Sequence, residues 1–412
     1  MLRLGFRRSG SAPARRVQDQ AAPAGTGRPR IAIRLAAATL GLLGAFVVLE
    51  VGLRVLSAFD LIHVPHPLGS DDAFWDGRHP LFGVWHRPGM SATHRSHCFN
   101  VRYKTNSLGA RDVEHAPRET VPRVLALGDS YLEGWGVEQD HRLTDLLQAS
   151  SGLEFMNLAM SHFGPYQELL AYREFAPRFE HHAVLVGVLP MNDFYDLDLA
   201  VARHSPGYTY RYRPYLAGKF PDYHRTDLQE SDTRRFLRHE SAAFNALAWM
   251  WYALSAEREG FDHPPAFATP TGTVHSFYYD YSRKEYLLLR YCLTQLATAA
   301  QGRPVIVVLL PAPPDFLRYV QDGPPPLTKD LEAQGLKDGF RVIDLLPEMA
   351  ARTKDPSDYF FSCDYHWNEV GHAVAADVLG ARLRGSFLPF APAKDEAEDI
   401  QTATAAKPPP QP

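Results

Sequence analysis

Arg123-Val-Leu-Ala-Leu-Gly-Asp-Ser-Tyr-Leu-Glu-Gly134 is a short apolar run that breaks into a tight polar turn. Val124 to Leu127 is β-prone and Gly128 accepts the backbone angles of a sharp exit, so the stretch predicts a strand with Ser130 at its C-terminal edge. In open α/β sheets that edge is where ligands bind, which makes Ser130 a candidate nucleophile. A serine in a turn is more often only a turn former, so its partners must carry the case.

Outward from Arg123 the pattern alternates. Strands are expected at Arg123 to Leu127, Phe155 to Met160, Ala183 to Leu189, Val305 to Leu310 and Arg341 to Leu345. Helical periodicity fits Leu143 to Ala149, Tyr166 to Phe175, Tyr286 to Ala300 and Val370 to Leu383. Strand followed by helix, repeated, predicts a parallel sheet covered by crossover helices: an α/β fold in three layers. Between Asp193 and Arg283 lies an insertion with an aromatic section, Tyr208 to Tyr215, and a helical section, Phe236 to Leu254. It reads as a lid or substrate-binding subdomain, its tyrosines and arginines suited to a carbohydrate or an anionic polymer, or equally as packing of an inserted element.

Three strand ends carry chemistry. Acyl transfer passes through a tetrahedral oxyanion, which preorganised N–H donors stabilise. The loop after Asn157 contains His162 and Gly164, and the next strand leaves the sheet at Asn192-Asp193. Near the C-terminus, Phe361-Ser-Cys-Asp-Tyr-His-Trp-Asn-Glu-Val-Gly-His372 offers His366 as general base and Asp364 as the carboxylate that would hold its tautomer. His372 is expected to cap or pack the helix that follows.

The Gly-x-Ser-x-Gly elbow of α/β-hydrolases is absent, because Leu132 stands in place of its second glycine. Gly128-Asp129-Ser130 with Gly134 instead resembles the first block of the SGNH (GDSL-type) hydrolases. Asn192-Asp193 matches the third block; family members commonly place the last block's Asp three residues before its His, here Cys363, and Asp364-x-His366-Trp-Asn resembles the form that also occurs in bacterial relatives. In the second block the family's glycine register falls on His162, with Gly164 two places later, so either backbone amide is a candidate donor. Asn106-Ser-x-Gly-x-Arg-Asp112 resembles a stretch of bacterial membrane-anchored members.

The resemblance spans about 260 residues, Arg123 to Leu383. It implies a flavodoxin-like SGNH sheet, with Ser130, Asp364 and His366 catalytic and an oxyanion hole made by Ser130, Gly164 (or the His162 backbone) and Asn192. The function it implies is a membrane-anchored serine esterase or O-acyl hydrolase acting on an acylated small molecule or glycan. An O-acyltransferase with the same triad, or a non-catalytic glycan-binding or assembly protein on the same scaffold, are the alternatives.

The rest of the chain sets the context. Residues 1–34 hold eight arginines against one acid, Asp19, and read as a basic cytoplasmic leader. Residues 35–56 are apolar enough to span a bilayer as one helix, with Glu50 and Arg54 spaced to pair. An uncleaved signal anchor is expected over a cleaved signal peptide, because Leu56-Ser57-Ala58 offers a small Ala at the −1 position of a cleavage site but a bulky Leu at −3. The arginine excess puts the N-terminus in the cytoplasm and the remainder outside, periplasmic in a Gram-negative cell. An annex at 59–120, the main domain at 121–388 with its insertion at 194–283, and a disordered tail at 391–412 complete the expected plan.

With 412 residues, 45% hydrophobic, and a net charge of −4, the chain has no basic footprint for nucleic acid, and no phosphate-binding or dinucleotide loop is present. No cofactor is implied. His63, His66, His79, His86, His94 and His97 beside Cys98 make no tight ligand spacing, so no metal is expected and most of them are expected at the surface. An oxidising compartment would permit a Cys98–Cys363 disulfide; Cys292 lies in an apolar helix.

Overall fold

The apolar runs at Val124, Val184 and Val305 form the centre of the sheet in the computed structural model of the chain. The structure describes residues 27–59, 61–62, 79–96, 98–204, 213–228, 233, 236–237, 240–259, 274–363 and 365–386. Two compact units are present, Met1–Ile62 and His63–Pro412. In the first, helix α1 (Gly27–Ala58) is apolar and long enough over Ile31–Ala58 to cross a membrane. Arg54 Nε lies 2.6 Å from Glu50 Oε1, as their spacing predicts.

In the second unit a hairpin, β1 (Ser91–Arg95) and β2 (Asn100–Lys104), precedes the main sheet. The sheet contains β3 (Arg123–Leu127), β4 (Glu154–Asn157), β5 (Ala183–Val188), β8 (Val305–Leu309) and β9 (Arg341–Asp344). Its order is β4-β3-β5-β8-β9 with every pair parallel, the flavodoxin-like arrangement. β3, β5 and β8 are buried along their whole length, which is why they read as unbroken apolar runs and not as alternating ones. The expected fold class holds.

Between the strands run α2 (Ser130–Glu133), α3 (Leu143–Ser151), α4 (Pro165–Phe175) and α5 (Pro190–Leu197). After the insertion come α6 (Arg283–Ala299) and, following β9, α7 (Glu369–Ser386). Helix α6 starts three residues before the expected Tyr286. Ser282 Oγ accepts from Glu285 N and Glu285 Oε2 accepts from Ser282 N at 2.6 Å, a capping box the periodicity does not register. β4 ends at Asn157, not Met160, because Asn157 Oδ1 takes the Ala159 N–H at 2.9 Å and turns the chain. β5 ends at Val188, and Asn192 and Asp193 lie in the first turn of α5.

The insertion contributes a second hairpin, β6 (Pro214–Lys219) and β7 (Asp222–Asp227), and a helix at Ala242–Glu259. Most of the aromatic section before Arg213 and the whole C-terminal tail fall outside the described residues, as does the basic leader to residue 26.

One apolar core unites the sheet with its helices. A smaller cluster, Phe99, Val101 and Tyr103 with Trp135, Cys98 and Phe361 against it, joins the annex hairpin to the loops at the sheet's C-terminal edge. The annex before β3 is therefore packed against these loops. His86 departs from the expected surface histidines: it is buried, with its Nε2 against Glu133 Oε1.

Candidate active site

Ser130 is the first residue of α2, immediately beyond β3. Asp129 caps the turn, its Oδ1 accepting the Tyr131 N–H at 2.9 Å, and Gly134 closes it at φ 84°, where Arg142 leaves no room for a side chain. As the first helical residue, Ser130 has a backbone N–H with no intrahelical acceptor. Its Oγ lies 2.8 Å from His366 Nε2, bringing together two residues from opposite ends of the fold.

The loop that carries His366 is fixed at several points. Phe360 and Trp367 form an isolated bridge, and the Phe361 N–H donates to the His366 carbonyl at 3.0 Å. Trp367 is fully buried, with Nε1 donating to Pro311 O at 3.2 Å, while Tyr131 OH donates to Tyr365 O at 2.5 Å. Trp135 stacks on the imidazole. The outer part of the loop is tied to the annex by a Cys98–Cys363 disulfide, the pairing that an oxidising compartment would permit. Asp364 lies outside the described residues.

Asn192, in the first turn of α5 just beyond β5, donates from Nδ2 to Asp129 Oδ2 at 2.9 Å, linking the segments that follow the two strands. Burial raises the Asp129 carboxyl above its ordinary range, and the bond from Asn192 partly offsets this. Asn192 Oδ1 is buried and has no hydrogen-bond partner among the described residues.

The third strand end separates the two candidates in the second block. Residues Met160 to Phe163 form a turn, with Phe163 N–H donating to Met160 O at 2.9 Å and His162 at φ 70°. That angle at the third turn residue normally selects glycine or asparagine, and a side chain held there costs roughly 1–2 kcal/mol. His162 therefore occupies a glycine conformation as well as a glycine register. Its ring is exposed, 6.4 Å from the Trp135 ring. Crowding around the ring and then Arg213 lower its pKa, an effect that the ring's open face moderates.

Gly164 serves differently: its N–H donates to Gln167 Oε1 at 3.3 Å, and a Cβ there would sit 2.7 Å from the Asp196 Cβ. Its lack of a side chain admits helix α5.

A buried network braces the turn after Ser130. Glu133 accepts from the Ser161 N–H at 2.6 Å and from Ser161 Oγ, and also faces His86. Burial alone would raise Glu133, but His86, Arg111 and Ser161 overcome it and hold the carboxyl at about 2. The Asn106 to Asp112 stretch has a bracing role too. Arg111 donates to the carbonyls of Glu133 (2.9 Å), Gly134 and Val137, and Asp112 Oδ2 accepts the Asn157 N–H at 2.6 Å.

His372 packs in the core of the fold. Burial, then Arg111 and Arg142, lower it to about 3, leaving Nδ1 to accept the Leu143 N–H at 3.3 Å, so it caps α3 and not its own helix. Among the described residues, no group of three His, Cys, Asp or Glu side chains is placed to hold a metal ion.

Trp135, Arg213 and Asp196 escape sequence reasoning. Trp135 meets His366, Arg213 meets His162 and Asp196 meets Arg213 through tertiary contacts that no local pattern marks.

Residues 299–410 match the model of a family described as "SGNH hydrolase-like domain, acetyltransferase AlgX". No curated protein matches the chain. Solved structures similar to it include a lipase/acylhydrolase from Enterococcus faecalis, 11% identical, with 65% of this chain and 98% of that chain covered and a TM-score of 0.35. A carbohydrate esterase family 2 enzyme from Corynascus thermopiles (Myceliophthora fergusii) is 13% identical, with 66% and 68% covered and a TM-score of 0.35. The psychrotrophic esterase EstA from Pseudoalteromonas sp. is 11% identical, with 64% and 96% covered and a TM-score of 0.31. Residues 299–410 are thus similar to an SGNH hydrolase-like domain, and they belong to the same unit as the parallel sheet beyond whose strands Ser130, His162 and Asn192 lie.

Proposed function

We propose that the chain is a serine-dependent O-acyl esterase. The observation that carries this reading is the 2.8 Å contact of His366 Nε2 with Ser130 Oγ at the C-terminal edge of the sheet. Ser130 Oγ attacks the ester carbonyl while His366 takes its proton. The Ser130 N–H, the His162 N–H and Asn192 Nδ2 stabilise the oxyanion; the bond from Gly164 to Gln167 favours His162 over Gly164. The imidazolium then protonates the leaving alcohol, and water releases the acid. Asp364, two residues before His366, is the proposed carboxylate partner of the imidazole.

A second reading, transfer of the acyl group to a glycan hydroxyl, is favoured by the acetyltransferase description of the matched family. The chemistry to the acyl-enzyme is the same, and exclusion of water decides the second half. A single-pass anchor with the domain outside the cytoplasm is supported by the arginine excess before α1 and by the Cys98–Cys363 disulfide.

The test is labelling with a fluorophosphonate probe, followed by acetyl release from acetylated sugars with and without an acceptor glycan. Wild type should label, and Ser130→Ala and His366→Ala should not. A folded wild type that fails to label would overturn the enzymatic reading in favour of a glycan-binding role.

A further inference from the structure

We infer that Arg213, supplied by the insertion, is a positioning residue that holds the His162 turn in its left-handed conformation and so sets the oxyanion donor. The inference rests on the proposed esterase reading. Arg213 is buried and immediately precedes β6. Its Nη2 donates to the His162 carbonyl at 2.6 Å, and its Nη1 lies 2.6 Å from Asp196 Oδ1 in α5. Gly164 completes the chain of contacts, since only a residue without Cβ lets Asp196 approach this closely.

The turn is thus gripped from both sides. Glu133 takes the N–H and hydroxyl of Ser161, while Arg213 takes the carbonyl of His162. Between these anchors lies the Ser161–His162 peptide, whose N–H is the proposed donor. A glycine would adopt φ 70° at no steric cost; a histidine there needs the surrounding structure to hold it. Arg213 performs that task, and it ties the insertion to the chemistry by a route other than covering the substrate.

The test is a kinetic cycle with 4-nitrophenyl acetate and the fluorophosphonate probe on the full chain, using Arg213→Met, His162→Gly and the double variant. Arg213→Met should lower kcat roughly 10- to 100-fold with KM changed less than about threefold, since a displaced oxyanion donor acts on the transition state. Adding His162→Gly should restore about tenfold of that loss, because glycine needs no grip. Asp196→Asn should act in the same direction more weakly, and its cycle with His162→Gly replaces the first if Arg213→Met does not fold.

A kcat within twofold of wild type in Arg213→Met, or a loss from Arg213→Met that is equal with and without His162→Gly, would overturn the inference while the esterase reading stands. A wild type inert to the probe would overturn both.

Discussion

Trp135 lies against the imidazole of His366, ring centroids 5.0 Å apart and planes 22° from parallel. The indole comes from the turn directly after the nucleophile, where the Trp135 backbone N–H donates to the Ser130 carbonyl at 2.9 Å, so one backbone segment positions both the serine and the histidine. An indole face also favours a cation, and His366 becomes one when it takes the serine proton. Replacing Trp135 by Ala should lower kcat about tenfold, and by Phe about threefold, from the roughly 0.5–2 kcal/mol that such contacts contribute. Rates of fluorophosphonate labelling and of 4-nitrophenyl acetate turnover, with a melting curve to confirm folding, check this.

The Cys98–Cys363 disulfide joins the annex hairpin to the loop that ends in His366. Opening it frees both segments, and a disulfide closing a long loop contributes about 2–4 kcal/mol. Dithiothreitol, or Cys98→Ser with Cys363→Ser, should lower Tm by several degrees and slow labelling of Ser130. Cys292, buried in α6, takes no part, and Cys292→Ala should respond to dithiothreitol as wild type does. Equal labelling rates before and after reduction would show that the aromatic contacts alone hold the loop.

Acid should loosen the turn behind Ser130. Glu133 is held at about 2 in the fold against an ordinary 4.5. A carboxyl with a depressed folded pKa stabilises the fold above its unfolded pKa, and that stability is lost as pH falls through the folded value. The window is therefore about pH 4.5 down to about 2, and the ionised carboxylate contributes on the order of 2–3 kcal/mol above it. Urea denaturation at pH 7 should show Glu133→Gln less stable by roughly that amount, and its stability should fall less than that of wild type between pH 4.5 and 3.

The sheet is legible in the sequence because β3, β5 and β8, buried on both faces, are written as continuous β-branched and leucine runs. Ser130, Asn192 and His366 are legible because each closes such a run or sits in a short polar block beside the helix that follows. The choice between His162 and Gly164 is not, since it depends on where Gln167 sends its side chain and on the φ angle of one turn residue. Arg213 is hidden for another reason. It stands among several arginines and tyrosines, and nothing local separates the one that reaches His162 from its neighbours in sequence.

Asn192 is the one proposed oxyanion donor that can be removed as a side chain. Asn192→Ala should lower kcat about 10²- to 10³-fold with little change in KM, the range seen when a single such donor is lost. The variant also strips Asp129 of its bond, so a melting curve on the same preparation must show that the turn before Ser130 is kept. Burst kinetics with 4-nitrophenyl acetate would place the loss in acylation.

His162 separates a main-chain role from a side-chain one. If only its N–H takes part, His162→Ala keeps the donor and the backbone strain and should turn over within about threefold of wild type. His162→Gly removes the strain of φ 70° and should raise stability by about 1 kcal/mol, again with activity near wild type. If the exposed ring were itself a proton carrier, both variants would lose activity together, and the pH–rate profile would lose one ionisation. Steady-state kinetics across pH 5 to 9, with urea midpoints measured on the same preparations, distinguish the two.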